Sequence, residues 1–212
     1  MRILSVLCGV MGVNAYILYN DGDDRAIVID PGSAEEVMDQ LKKHSLRATD
    51  ILLTHGHFDH IAGLARLKAA TDATIWVHEA DALMLMNDVK NLSVLMGMRC
   101  EHVPTDKLLK GGETLNLNGI SIKVLHTPGH SPGGVSYLVD EAHVVFTGDT
   151  LFKVSVGRTD FMGSNESDLY QSILEKLFVL PDDYTAYPGH MDETTIGFEK
   201  KYNSFVQYWK AH

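Results

Sequence analysis

Cysteine is nearly missing from this chain of 212 residues; only Cys8 and Cys100 occur. They lie far apart and form no Cys-x-x-Cys pair, so neither a disulfide framework nor a thiolate cage is indicated. One bridge between them stays formally open, but the expectation is two idle thiols in a reducing cytosol, neither a metal ligand. Blocks of Lys or Arg are missing too. The 18 basic residues face 28 acidic ones, for a net charge of −10. That balance argues against a nucleic-acid partner and otherwise bears on solubility, not fold. No apolar run approaches the length of a membrane span. Ile3–Val13 behind Arg2 faintly resembles a secretory signal. Only one positive charge precedes it and no Ala-x-Ala site follows, so it reads as a first buried strand. A cytoplasmic protein with no membrane partner is expected. Linkers, low-complexity segments and short-period repeats are also lacking. Residues 1–212 therefore read as one domain, long enough to bury a substantial core.

Strand signals stand at Ile3–Leu7, Ala15–Tyr19 and Ala26–Asp30, with an Asn20-Asp21-Gly22-Asp23 hairpin turn between the last two. Asp30-Pro31-Gly32 breaks the third strand, and Ser33 caps a helix to about Lys43 with Val37, Met38 and Leu41 on one face. Asp50–Leu53 is a short buried strand. Helical spacing resumes over Ile61, Leu64, Ala65 and Leu67, and Thr74–Val77 returns as a strand. Further strands are expected at Glu113–Leu117, Ser121–His126, Val135–Val139, His143–Thr147 and Tyr184–Tyr187. Ser164 or Asn165 caps an amphipathic helix carrying Leu169, Ile173, Leu174, Leu177 and Phe178, which Pro181 ends. Thr194 or Thr195 opens one terminal helix with Phe198, Tyr202, Phe205, Tyr208 and Trp209. Strands followed by helix-strand alternation thus occur twice, over roughly 1–77 and 113–190. Two mixed sheets packed face to face with helices outside would bury both patterns.

Residues 79–106 carry the weakest signal. Glu79–Met86 reads as a helix. The Met-rich stretch to Cys100 reads either as a helix packed on the core or as an adaptable apolar wall or subunit contact.

The chemistry concentrates at Thr54-His55-Gly56-His57-Phe58-Asp59-His60. Four metal-competent side chains fall within six positions. In an extended loop His55 and His57 share a face. A helix beginning near Asp59 would aim Asp59 and His60 at a second point nearby. Three more candidates each follow an apolar run and stand beside glycine: His130 in Thr-Pro-Gly-His-Ser, Asp149 in Phe-Thr-Gly-Asp-Thr and His190 in Tyr-Pro-Gly-His. His126 is a strand-end histidine or a partner of that site. His44, His78, His102, His143 and His212 lack ligand context and read as surface or structural.

With those segments in view, the sequence resembles the metallo-β-lactamase superfamily over nearly its whole length, and most of all the short glyoxalase-II-like (hydroxyacylglutathione hydrolase-like) hydrolases. The resemblance implies an α/β, four-layer αββα sandwich. It also implies a dinuclear site: His55, His57 and His130 on one metal, Asp59, His60 and His190 on the other, and Asp149 bridging. Imidazole and carboxylate ligands without thiolate suit zinc first, with iron or manganese as alternatives. The implied activity is hydrolysis of a thioester such as S-lactoylglutathione by a metal-bridging hydroxide, with Asp59 also orienting it. The substrate is a small molecule. Nothing in the sequence sets an oligomeric state.

The sequence departs from that pattern in places. Two-domain glyoxalase II enzymes carry a further helical domain that helps bind glutathione, and little of this sequence follows His190. Their Lys-x-Tyr stretch is replaced by Gly157-Arg158-Thr159-Asp160-Phe161, and Met191-Asp192 stands where they often have Glu-Tyr. Arg158 is a candidate for a substrate carboxylate, or else a partner of Asp160. Persulfide dioxygenases share the implied fold and a similar Arg-Thr-Asp-Phe loop. They use one iron on the equivalents of His55, His130 and Asp149, so an oxidoreductase is the alternative. A lactonase and a metal-stabilised binding module are further readings.

Overall fold

Period-two alternation explains why this chain can bury both faces of its strands. In β2 (Val13–Tyr19) Ile17 packs into one apolar cluster and Leu18 into another; in β3 (Arg25–Ile29) Val28 faces the first while Ile27 and Ile29 face the second. The computed structural model describes residues 1–211. His212, read from the sequence as surface or structural, lies outside them.

The first sheet runs in the order of the chain: β1 (Arg2–Cys8), β2, β3, β4 (Arg47–Leu52), β5 (Thr74–His78) and β6 (Lys107–Leu109). Its first three strands are antiparallel and the rest join in parallel. The second sheet holds β7 (Thr114–Leu117), β8 (Ile120–His126), β9 (Val135–Val139) and β10 (Val144–Gly148). It continues, past a small hairpin of β11 (Leu151–Phe152) and β12 (Ser155–Val156), to β13 (Thr185–Pro188) and β14 (Thr194–Thr195). Tyr16, Leu18, Ile27, Ile29 and Leu52 meet Ile122, Val124, Tyr137 and Phe146 between the sheets. Helices α1 (Ala34–Lys43), α2 (Phe58–Ile61) and α3 (Leu64–Thr71) cover the outer face of the first sheet through Val37, Leu41, Ile61, Leu64 and Leu67. Helices α4 (Glu166–Ser172), α5 (Ile196–Tyr202) and α6 (Ser204–Ala211) cover the second through Leu169, Ile196 and Val206. The layers are those of the expected αββα sandwich.

Most expected elements appear within a few residues of their sequence boundaries. The exceptions have local causes. The terminal helix is two helices, because Asn203 leaves the helix: its amide donates to Glu199 (2.8 Å) and to the Ser155 carbonyl (3.0 Å). The helix from Glu166 widens into a π turn over Ile173–Leu177, with Phe178 N bonding Ile173 O at 2.8 Å. Residues 79–100 do not form the helices read from their spacing. They hold two single 3₁₀ turns, Ala82–Met86 and Ser93–Met96, separated by side-chain-capped loops. Asn87, Asp88 and Asn91 supply those caps, drawing the backbone away from a continuous helix. Among the described residues, no helix is long and apolar enough to cross a membrane.

Candidate metal centre

Both sheets aim loops at one edge of the sandwich. After β4 the chain passes through Thr54, whose N–H donates to Asp30 (2.7 Å) and whose carbonyl accepts from Val135 N (2.8 Å). Tyr137, on the facing sheet, donates its hydroxyl to Leu53 O at 2.7 Å. The loop carrying His55 and His57 is thus pinned from both layers. Gly56 is required between them, because a β-carbon there would stand 2.5 Å from Cβ of Met84. Helix α2 then opens at Phe58 and turns Asp59 and His60 to a second point, as the sequence suggested. The His190 loop is held by the first sheet: Tyr16 and Asn14 donate to Pro188 O at 2.6 and 3.1 Å. Gly189 approaches so closely that a β-carbon would lie 2.3 Å from Asp149 Oδ1.

The donor atoms fall into two groups that meet. His55, His57 and His130 bring ring nitrogens within 4.8 Å of one another, and so do Asp59, His60 and His190 with one donor atom each. Nδ1 of His57 and Nε2 of His130 are 2.8 Å apart. Asp149 sits between the groups, with Oδ1 3.2 Å from His60 Nε2, and Oδ2 3.5 Å from His130 Nε2 and 3.6 Å from His190 Nε2. His190 Nε2 also faces Asp59 Oδ2 at 3.2 Å. Three atoms here, His55 Nε2, His60 Nε2 and Asp149 Oδ1, are buried without a well-formed hydrogen bond, since the 3.2 Å approach of the last two lacks the geometry of one. Buried polar atoms ordinarily have one. Orphaned imidazole and carboxylate atoms converging on one place are what divalent cations would satisfy, so the residues fit the metals that the resemblance implies.

A family model described as the metallo-beta-lactamase superfamily matches residues 8–190. The chain belongs to that superfamily. It is 38% identical over 200 residues to the "Probable metallo-hydrolase YqgX" of Bacillus subtilis, covering 93% of this chain and 94% of that one. It is 34% identical over 195 residues to the hydroxyacylglutathione hydrolase GloC of Haemophilus influenzae, covering 91% and 92%. Among solved structures it is similar to the BLEG-1 B3 metallo-beta-lactamase (TM-score 0.93, 37% identity, 97% and 99% covered). It is also similar to TTHA1623 in a di-iron-bound form (0.84, 34%, 95% and 99%) and to ETHE1 from Myxococcus xanthus (0.81, 29%, 97% and 84%).

Electrostatics in this superfamily member divide the histidines. Burial, then the neighbouring His60 and His57, pushes His55 well below its ordinary pKa. Burial, with His130 beside it, takes His57 down to about 3. Both are therefore neutral imidazoles, the ligand form. Burial opposes charge on His60 as well, but Asp149, Asp30 and Asp59 outweigh it and hold its pKa well above normal. His190 is raised in the same way, with Asp59 and Asp149 overcoming burial. Burial also works against Asp149 and Asp59, yet His60 and its neighbours keep both carboxylates below their usual range. The carboxylates draw positive charge to this place, and a divalent cation competes with protons for it.

Two carboxylates that hold this arrangement were not assigned from the sequence. Asp30 takes a left-handed backbone (φ 49°) and accepts from Thr54 N, Thr54 Oγ1 and His60 Nδ1. It comes near His55 and His60 as a third possible cluster, but these donors already occupy its oxygens. Asp81 is buried and accepts from Gly56 N (3.1 Å), Ser131 Oγ (2.7 Å) and Gly133 N (2.6 Å), tying the His57 loop to the His130 loop. The signal for Asp30 was visible, as an Asp ending an apolar run before Pro-Gly; Asp81 carried none.

Arg158 serves twice. Its carbonyl accepts from His130 Nδ1 at 2.9 Å, and its guanidinium pairs with Asp160 at 2.9 and 2.7 Å while lying over Phe161. His126 stacks on His78 and bonds Pro132 O, so it supports the His130 turn without joining the cluster. His102 bonds Asp88 and His143 bonds Asp183, both away from the site. Cys8 and Cys100 are free thiols outside every cluster of possible ligands among the described residues.

Proposed function

We propose that this protein is a dinuclear metallo-hydrolase that cleaves acyl thioesters. The observation that carries the reading is the meeting of two three-residue groups at Asp149, whose oxygens face His60 on one side and His130 on the other. In this reading His55, His57 and His130 would hold one cation, Asp59, His60 and His190 would hold the second, and Asp149 would serve both. Zinc is the first choice for this donor set, with iron or manganese as alternatives. Cations held there would supply an acidified water and polarise an acyl carbonyl.

The chain's own residues set which bond breaks. Five of the seven proposed ligands, His57, Asp59, His130, Asp149 and His190, line a cavity of about 680 Å³. Its titratable lining residues are His57, Asp59, His130, Asp149, His190 and Arg158. All but Arg158 are proposed ligands, and a guanidinium does not release its proton. Among the described lining residues no free acid is left to protonate a departing atom. A thiolate needs little help, its conjugate acid having a pKa of about 8.5, whereas an amine anion cannot leave unprotonated. Asp59 lies at the cavity wall beside His190, and in this reading it would orient the attacking water as well as bind. The hydroxyacylglutathione hydrolase named among the relatives fits this reading. The likeness to ETHE1 and the Arg158-Thr159-Asp160-Phe161 loop support a second one, a mononuclear iron persulfide dioxygenase on His55, His130 and Asp149. A lactonase would use the same groups as the hydrolase.

The test carries one acyl group on a thiol, an alcohol and an amine, with a β-lactam, a lactone and glutathione persulfide alongside. kcat/KM should fall steeply from thioester to oxygen ester to amide. Comparable cleavage of the amide or β-lactam would require a proton donor from outside these lining residues and would favour a lactamase. Oxygen uptake with the persulfide and no thioester cleavage would replace the hydrolase with the dioxygenase.

A further inference from the structure

The cavity wall beside the proposed ligands is largely apolar. At about 680 Å³ it is the size of a pocket for a drug-sized molecule. Met11, from the turn between β1 and β2, and Leu92, Leu95 and Met96, from the second 3₁₀ turn, line it together with Phe152 and Val156 of the β11–β12 hairpin. Phe152 lies 6.0 Å from the ring of His190, so this wall begins at the ligands themselves. The 3₁₀ turn is fastened to the ligand loop, with Asn91 O accepting from Phe58 N at 2.9 Å and Asn91 Nδ2 donating to Met84 O at 3.1 Å. Leu92 is held at φ 69°, a conformation that side chains other than glycine rarely adopt, and is nearly buried in the wall. Such strain persists only where the surroundings impose it and is concentrated at ligand-holding segments. Leu95 and Met96 are 71% and 52% exposed, and continue the apolar surface outward from the cavity. Apolar side chains grouped beside a cavity mark a ligand groove, and methionine adapts to flexible chains.

Charge points the same way. Arg158 is the one side chain of fixed positive charge among the described lining residues, and Asp160 already neutralises it. A glutathione conjugate brings two carboxylates and one ammonium, net −1, to a chain of net charge −10 with no unpaired Lys or Arg among the described lining residues to receive its carboxylates.

We infer that the preferred substrates are thioesters of extended apolar acyl groups, seated along Met11, Leu92, Leu95, Met96, Phe152 and Val156, and not glutathione conjugates of small hydroxyacyl groups. This rests on the thioesterase reading above and specifies its substrate class.

The experiment compares acetyl, butanoyl, hexanoyl and octanoyl thioesters of N-acetylcysteamine, and S-lactoylglutathione, on the metal-loaded enzyme. Each buried methylene should raise kcat/KM roughly three- to fourfold until the wall is covered. The octanoyl-to-acetyl ratio should collapse in the double variant Leu95→Asp, Met96→Asp, whose exposed positions tolerate a charge. A non-hydrolysable S-octyl thioether of N-acetylcysteamine should bind the wild type with a negative heat-capacity change and bind the double variant at least tenfold more weakly. A flat chain-length series, or S-lactoylglutathione outpacing the octanoyl thioester, would overturn the inference and leave the thioesterase reading standing. Cleavage of no thioester at any length would remove both.

Discussion

Asp30 Oδ2 lies 2.8 Å from Nδ1 of His60, and that contact fixes which nitrogen of His60 is free for a metal. An Nδ1–H donated to a carboxylate leaves Nε2 as the lone-pair nitrogen, and Nε2 is the atom that faces Asp149 at 3.2 Å.

Replacing Asp30 by Asn should release this control. The amide keeps one oxygen for Thr54 N, but its NH2 then faces His60 Nδ1 and cannot accept from it. The ring gains the tautomer that blocks Nε2. We expect the affinity for the more weakly held of two metals to fall about 10- to 100-fold, with turnover falling alongside. Equilibrium dialysis against zinc, read with kcat, checks this. Unchanged zinc affinity would mean that His60 is oriented by other contacts.

Asp81→Asn tests the tie between the two ligand loops. Its oxygens serve Gly56 N, Ser131 Oγ and Gly133 N, and an amide can satisfy only one of the two backbone N–H groups. Leaving the other unpaired costs about 1–3 kcal/mol. The Tm of the variant should therefore fall below that of the wild type. An unchanged Tm would show that this tie between the loops is dispensable.

Much of this arrangement could be read from residue order. The strands around the ligands were legible because Ile27, Val28 and Ile29, or Ile17 and Leu18, alternate between two cores. Five of the seven candidate ligands stand next to a glycine, and those glycines prove to be where Met84, Leu169, Thr54 and Asp149 press on the backbone. Long-range pairings were not legible. Nothing near Asp81 in sequence announces Ser131 and Gly133, which sit fifty positions away. The Met-rich segment was misread where it was read as helix, because Leu92, Val94 and Leu95 carry helical spacing. Asn87, Asp88 and Asn91 bond to nearby backbone instead, leaving Leu92 in the left-handed region. The alternative reading of that segment, an apolar wall beside the ligands, matches its place along the cavity.

The central claim is that two cations share Asp149, and metal content per chain tests it most directly. Wild-type protein dialysed to equilibrium with zinc should hold about two ions per chain. His190→Ala should keep about one and lose most turnover, because His190 belongs to one of the two groups. Asp149→Asn should weaken both ions together and lose more activity than His190→Ala, because its oxygens face both groups. A wild type that saturates at one iron per chain, with persulfide-dependent oxygen uptake indifferent to His190→Ala, would contradict the dinuclear hydrolase.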